Sequence, residues 1–331
     1  MGPAAPLLSI PEAPAPEGAA AEWFTGAGGL RLRAALIPAP AARGSVVVSP
    51  GRAEPIEKYF EIAQALAARG FTVLVHDWRG HGLSARLHRD RMKGHSDGFG
   101  PMLEDFEQLT AAFADRLPKP WLALGHSMGG LLTVMAMMAD PKRFAGGVVT
   151  APMMGIQTGG LPPALLRVQA GLMWRLGLGG LYVPARTDPM AVRFENNALT
   201  HDETRWRRYR AQLEAWPDLR VGAVTWAWLH FALAGVVQAV RDPHAADLGD
   251  RLTMLTAEDE RLVDNAATAA FAARAGARLV EIKGALHEIL METDDRLGVF
   301  WGEFDRLADR VTPRGPMDLA SSPTNPRLPP A

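Results

Sequence analysis

Ser127 stands in Gly125-His126-Ser127-Met128-Gly129, a G-x-S-x-G pattern between an apolar run, Trp121 to Leu124, and a helical run, Leu131 to Ala139. On so tight a strand-to-helix turn a serine hydroxyl is pushed out of the fold, and flanking glycines let the backbone close without side-chain collision. Gly130 extends the small-residue patch, which lets the helix sit close against neighbouring strands. A serine alcohol is a weak nucleophile until a neutral imidazole takes its proton, and the imidazole needs a carboxylate to fix its tautomer. The pattern therefore points to acyl transfer and calls for a histidine and an acid further along the chain, in the order serine, acid, histidine.

His287 is the expected base. It follows a strand, Arg278 to Ile282, in the glycine-containing loop Lys283-Gly284-Ala285-Leu286-His287-Glu288, which suits a side chain that must reach the top of a sheet. The other histidines fit less well. His126 adjoins the serine but is expected to point away from it, while His76 and His81 lie upstream, against the chain order. His88 and His95 sit in a basic loop, and His201, His230 and His244 fall in a separate helical block. For the acid, Ala257-Glu258-Asp259-Glu260-Arg261-Leu262-Val263-Asp264 offers four carboxylates after the strand Leu252 to Thr256. The frame of an acid followed by a basic residue and two aliphatics selects Glu260, with Asp259 as the alternative. The remaining acids suit a helix cap or water. A developing oxyanion needs two donors, and the N–H of Met128 and that of Arg52, in Pro50-Gly51-Arg52-Ala53-Glu54, are the expected pair.

Positioning these groups requires a parallel sheet. Ser45 to Val48, Thr72 to Val75, Trp121 to Leu124 and Gly147 to Thr150 read as strands, alternating with helices at Ile56 to Ala68, Leu103 to Leu117 and Leu131 to Ala139. That rhythm implies a doubly wound α/β sheet with helices on both faces. Leu30 to Ile37 is expected to add an edge strand. From about Pro152 to Asp247 no strand is legible, and helical patches appear at Ala164 to Leu176, Glu203 to Ala215 and Gly222 to Ala239. The rhythm then resumes to a final helix near Asp295 to Arg310.

The expected organisation is a leader at 1–21, a core at 22–151 and 248–311, a helical lid at 152–247 over the carboxyl ends of the strands, and a disordered tail at 312–331. Met153, Met154, Leu161, Leu165, Leu172, Met173, Trp174, Trp226, Trp228 and Phe231 suit an acyl-chain slot in the lid and suit helical packing equally. The basic cluster Arg205 to Arg210 reads as a solvated helix face, with contact to lipid headgroups as the second reading.

Composition narrows the classes. With 48% apolar and 21% charged residues the chain is globular, and a net charge of −1 gives no general attraction to nucleic acid. The absence of cysteine removes disulfides and thiol catalysis and suits a reducing cytoplasm. Prolines at 3, 6, 11, 14 and 16 break any signal-peptide core, and Pro6 stands where a myristoylation signal wants serine or threonine. No apolar run is long enough to span a bilayer. No metal is expected at His76, His81 and His88, and no cofactor is required.

Pro50 to Glu54, Asp77-Trp78-Arg79-Gly80-His81-Gly82-Leu83-Ser84, Gly94-His95, Gly125 to Gly130, Glu258 to Asn265 and Lys283 to Glu288 together resemble the monoacylglycerol lipase and lysophospholipase branch of the α/β-hydrolase family. The resemblance covers most of Ser45 to Asp294, the lid excepted. It implies Ser127 as nucleophile, His287 as base, the acid at Glu260, and a small-molecule acyl ester with a long apolar chain as substrate. The expected location is the cytoplasm, with transient contact at the inner face of a membrane. Two departures stand out: Pro50-Gly51 replaces a common His-Gly, and a glutamate stands where aspartate is usual. The Asp77 to Ser84 motif reads as a turn that orders the loop beside the site. Aminopeptidase, amidase and short-chain esterase activities remain open on the same scaffold, as does a non-catalytic binding role.

Overall fold

The computed structural model describes residues 2–184 and 189–312. Its centre is a nine-stranded sheet in the order β1-β2-β3-β5-β4-β6-β7-β8-β9. The strands are β1 (Ala4–Ala5), β2 (Ala20–Thr25), β3 (Arg31–Ile37), β4 (Gly44–Ser49), β5 (Phe71–His76), β6 (Trp121–His126), β7 (Gly146–Thr150), β8 (Leu252–Ala257) and β9 (Arg278–Ile282). From β5 across to β9 every pairing is parallel, and β1, β2 and β3 add antiparallel strands at one end. Such a sheet must be covered on both faces. That is why β4, β5 and β6 are buried along their whole length.

Covering them are α1 (Phe60–Ala68), α2 (Phe99–Phe113), α3 (Ser127–Ala139), α7 (Asn265–Ala275) and α8 (Asp294–Val311). In α8 the residues Leu297, Phe300, Trp301, Phe304, Leu307 and Ala308 recur at helical spacing and are all buried. Asp264 caps α7 by accepting the N–H groups of Ala266 and Ala267.

Three expectations are corrected. First, the described part of the 1–21 leader is not free. β1 pairs with β2 in the sheet, Ala13 is 1% exposed, the Pro6 carbonyl accepts from Arg33, and the Leu8 N–H donates to Glu57. Buried hydrogen-bonding partners elsewhere in the fold hold a segment whose own composition favours disorder. Secondly, β3 is not an edge strand, because it is flanked by β2 as well as β5.

Thirdly, the block between β7 and β8 is not all cover. It contains α4 (Pro163–Arg175), α5 (Glu203–Ala215) and α6 (Trp226–Arg241). Trp228, Phe231, Ala232, Ala239, Ala245 and Leu248 are part of the main hydrophobic core, so 226–247 belongs structurally with the sheet. The opposite side of α6 packs Trp226, Leu229 and Leu233 against Ala170 of α4 in a small separate cluster. Isolated bridges at Ile156–Val263 and Gly94–Val224 stitch the inserted segment to the core loops. The expected tail lies outside the described residues, apart from Thr312.

Candidate active site

Ser127 opens α3 directly from β6. Its φ of +50° is a left-handed conformation that costs a non-glycine residue roughly 1 kcal/mol or more. The surrounding glycines explain how the chain tolerates it. A Cβ on Gly129 would stand 2.2 Å from the Ser49 carbonyl oxygen, and one on Gly125 would stand 2.8 Å from the Gly129 carbonyl oxygen. Serine is thereby held where β4, β6 and α3 converge.

The three side chains form one hydrogen-bonded line. His287 Nε2 lies 2.9 Å from Ser127 Oγ, and His287 Nδ1 lies 2.8 Å from Glu260 Oε2. Glu260 Oε1 accepts the N–H groups of Arg261, Leu262 and Val263 at 2.9, 2.7 and 3.2 Å. Burial pushes this carboxyl up, but the bond and charge of His287 and the Leu262 and Val263 N–H groups outweigh it, so its pKa is lowered. An ionised carboxylate can only accept, which puts the proton on Nδ1 and leaves Nε2 free to take the serine proton.

Asp259 has no place in this line. It is exposed, and both nitrogens of His287 are already engaged by Ser127 and Glu260. Glu258, also exposed, binds Lys283 and the Gly284 N–H instead.

The N–H groups expected to take an oxyanion are those of Met128, next to Ser127, and Arg52, on the loop after β4. Met128 is the second residue of α3, so it has no helical carbonyl one turn back. Arg52 N–H has no partner among the described residues, while its neighbour Gly51 donates to Glu54 at 2.6 Å.

Glu54 belongs to a buried polar cluster to which sequence reasoning assigned no role. Its Oε2 accepts from Tyr59 at 2.6 Å and its Oε1 meets Lys58 Nζ at 2.7 Å. Lys58 also meets Glu288 Oε1 at 2.5 Å, tying the loop after β4 to the residue beside the histidine. Burial raises the Glu54 carboxyl, yet the ammonium of Lys58 overrides it and keeps the group charged, while burial pushes Glu288 up. The only sequence signals were the four-residue spacing of Glu54 and Lys58 and the adjacency of Glu288 to His287.

His126 makes no hydrogen bond to Ser127 among the described residues: its Nδ1 meets Thr150, and its ring centroid lies 4.9 Å from that of His287. Burial lowers its pKa to about 4, against the pull of Glu54, so it is neutral at pH 7.

The Asp77 motif does order a loop. Asp77 accepts from Arg33 and from the Ile56 and Leu83 N–H groups, and Arg33 also grips Glu57. The Arg205 to Arg210 cluster, by contrast, is not a solvated face. Arg205 and Arg208 are buried on Glu61, Tyr209 donates to the Ala53 carbonyl, and Arg207 is exposed beside Glu203. Those contacts use up charges that a headgroup contact would need.

Above Ser127 lies a cavity of about 620 Å³ lined by Ser127, His287, His126, Arg52 and a largely apolar wall that includes Met153, Ile156, Val183, Leu213, Trp228 and Leu229. Of the ten residues named for an acyl slot, only Met153 and Trp228 line it; Leu161, Leu165, Leu172 and Trp174 are exposed. Among the described residues no cluster of three or more His, Asp or Glu side chains could hold a metal ion, and no helix is long and apolar enough to cross a membrane.

Comparison with known proteins points the same way. A family model described as serine aminopeptidase, S33, matches residues 40–294. Lysophospholipase L2 of Escherichia coli (strain K12) is 34% identical over 291 residues, 82% of each chain. A monoacylglycerol lipase of Mycolicibacterium smegmatis is 28% identical, covering 83% of this chain and 92% of its own. Among solved structures, a soluble variant of monoglyceride lipase from Saccharomyces cerevisiae superposes with a TM-score of 0.71. It is 18% identical and covers 94% of this chain and all of its own.

Proposed function

The chain belongs to the serine aminopeptidase S33 family of α/β hydrolases, and from that premise we propose that it cleaves acyl esters of the lysophospholipid or monoacylglycerol class through an acyl-enzyme. In this reading Ser127 attacks the ester carbonyl, His287 takes the hydroxyl proton at Nε2, and Glu260 steadies the imidazolium. The N–H groups of Arg52 and Met128 take the oxyanion, where losing one such donor typically costs ~3 kcal/mol of transition-state stabilisation. His287 then passes its proton to the departing alcohol and later draws one from water, which releases the fatty acid. Residues 152–225 form the lid, and the cavity beneath it takes the acyl chain.

One observation carries the reading. The unbroken Ser127–His287–Glu260 line opens onto a largely apolar cavity rather than onto solvent. Ser127 is only 9% exposed, so a substrate reaches it through that cavity. The relatives' names favour lipid esters over peptides. A cytoplasmic location suits the cysteine-free composition.

A fluorophosphonate probe tests the chemistry, and wild-type protein should label while Ser127→Ala should not. Turnover of monoacylglycerol, lysophosphatidylcholine, short-chain p-nitrophenyl esters and aminoacyl anilides then tests the class. Faster turnover of anilides than of either lipid would overturn the lipid assignment, and an unlabelled wild type would point to a binding protein.

A further inference from the structure

Among the described residues the cavity above Ser127 is lined by four cations, Arg52, Lys58, Arg205 and Arg210, and three of them are accounted for. Lys58 is paired with Glu54 and Glu288, and Arg205 with Glu61, Asp202 and Asp294. Arg210 donates to the Val192 and Met190 carbonyls. Arg52 differs. Its Nη1 donates to the Gly222 carbonyl at 2.8 Å, and no carboxylate lies within ion-pair distance of it among the described residues. The guanidinium sits 5.7 Å from the ring of Trp228, on the cavity wall.

A half-buried cation with spare donors is an environment that an incoming anion relieves. Arginine's planar fork matches two oxygens of a phosphate, which a neutral headgroup does not offer. The position also suits a glycerol ester. The main chain of Arg52 borders the oxyanion site, and in a lysophospholipid only the three carbons of glycerol separate the scissile ester from the phosphate.

We propose that the Arg52 guanidinium binds the headgroup phosphate of a lysophospholipid and so sets the preference for phosphate-bearing over neutral glycerol esters. This rests on the reading of Ser127 as the nucleophile of an acyl-ester hydrolase. Burial lowers the Arg52 pKa, against the opposing pull of Tyr209 and Glu54.

The test is a ratio, the kcat/KM for lysophosphatidylcholine over that for a monoacylglycerol of the same chain. Arg52→Met should lower the ratio about ten- to a hundredfold, the range for a lost hydrogen bond to a charged group. Arg52→Lys should recover part of it. Loss of a merely structural strap to Gly222 would slow both substrates together and leave the ratio where it was, which would overturn the proposal.

A second arm needs no variant. On wild-type protein, dodecyl phosphate should inhibit monoacylglycerol hydrolysis at least tenfold more strongly than dodecanol does. Inorganic phosphate at the same concentration should inhibit little, and equal inhibition by the free ion would overturn the assignment to a lipid headgroup. If the wild type hydrolyses neither ester, the hydrolase reading falls and takes this inference with it. If it hydrolyses both and Arg52→Met leaves the ratio unchanged, only the inference falls.

Discussion

The sharpest consequence at the residue scale concerns which carboxylate serves His287. Glu260 holds the Nδ1 proton at 2.8 Å and is itself fixed by the N–H groups of residues 261, 262 and 263, whereas the exposed Asp259 side chain touches neither the histidine nor the serine. A neutral amide at 260 no longer favours the tautomer that leaves Nε2 free, nor does it stabilise the imidazolium. Glu260→Gln is expected to reduce kcat by roughly ten-thousand-fold with little change in KM, and Asp259→Asn to stay within about twofold of wild type. Single-turnover acylation by a p-nitrophenyl ester measures both, and a larger loss in Asp259→Asn would move the role. The order of the two acids in the chain left this choice open, because adjacent residues on a loop differ by one backbone step. Only the fold decides which of them turns inward.

At the scale of elements, the turn from β6 into α3 and the end of β4 are one unit. Gly129 packs on the Ser49 and Pro50 carbonyls, from which the chain runs straight into Arg52. Gly129→Ala would drive a methyl to 2.3 Å from the Pro50 oxygen, and backbone on both sides leaves it no rotamer of escape. We expect a loss of about 1 to 3 kcal/mol in stability, read from urea midpoints, together with slower fluorophosphonate labelling as the oxyanion loop shifts. Gly298 and Gly302 of α8 make the contrast. Both are exposed, a Cβ there meets nothing, and alanine should stabilise by up to about 1 kcal/mol. Element placement was largely readable because period and punctuation agree. Arg278 to Ile282 and Glu203 to Ala215 emerge with the bounds read from the sequence. Less readable was which face a charged helix presents: α5 resembles a solvated helix until Glu61 of α1 appears beneath it, a partner 144 residues away.

Across the whole molecule the parallel sheet was legible from alternation alone, while of the antiparallel end only Leu30 to Ile37 was. Pro- and Ala-rich residues 2–19 carry no period, and they are ordered by Glu57, Arg33 and β2, so long-range partners decide their state. The same principle, burial by distant partners, shapes the response to pH. His76 lies between Trp78 and Phe106, with its Nε2 unpartnered, and burial lowers its pKa from 6.5 to about 3. A group depressed in the folded state binds its proton first in the unfolded state, so it withdraws stability as pH falls below about 6.5 and goes on doing so down to its folded value. His81, also lowered to about 3 by burial, and His126 add slopes of the same sign, whereas burial raises Glu57, Glu288 and Asp105, which act in the opposite sense. The total slope is a balance, and a substitution isolates one member of it. His76→Phe keeps an aromatic ring against Trp78 and removes the titration. Between pH 6.5 and 5 the wild type should lose about 1.6 kcal/mol more than the variant, as measured by urea unfolding at each pH. Parallel losses in the two proteins would mean that His76 takes up its proton while the fold is intact, and hence that its site is open to water.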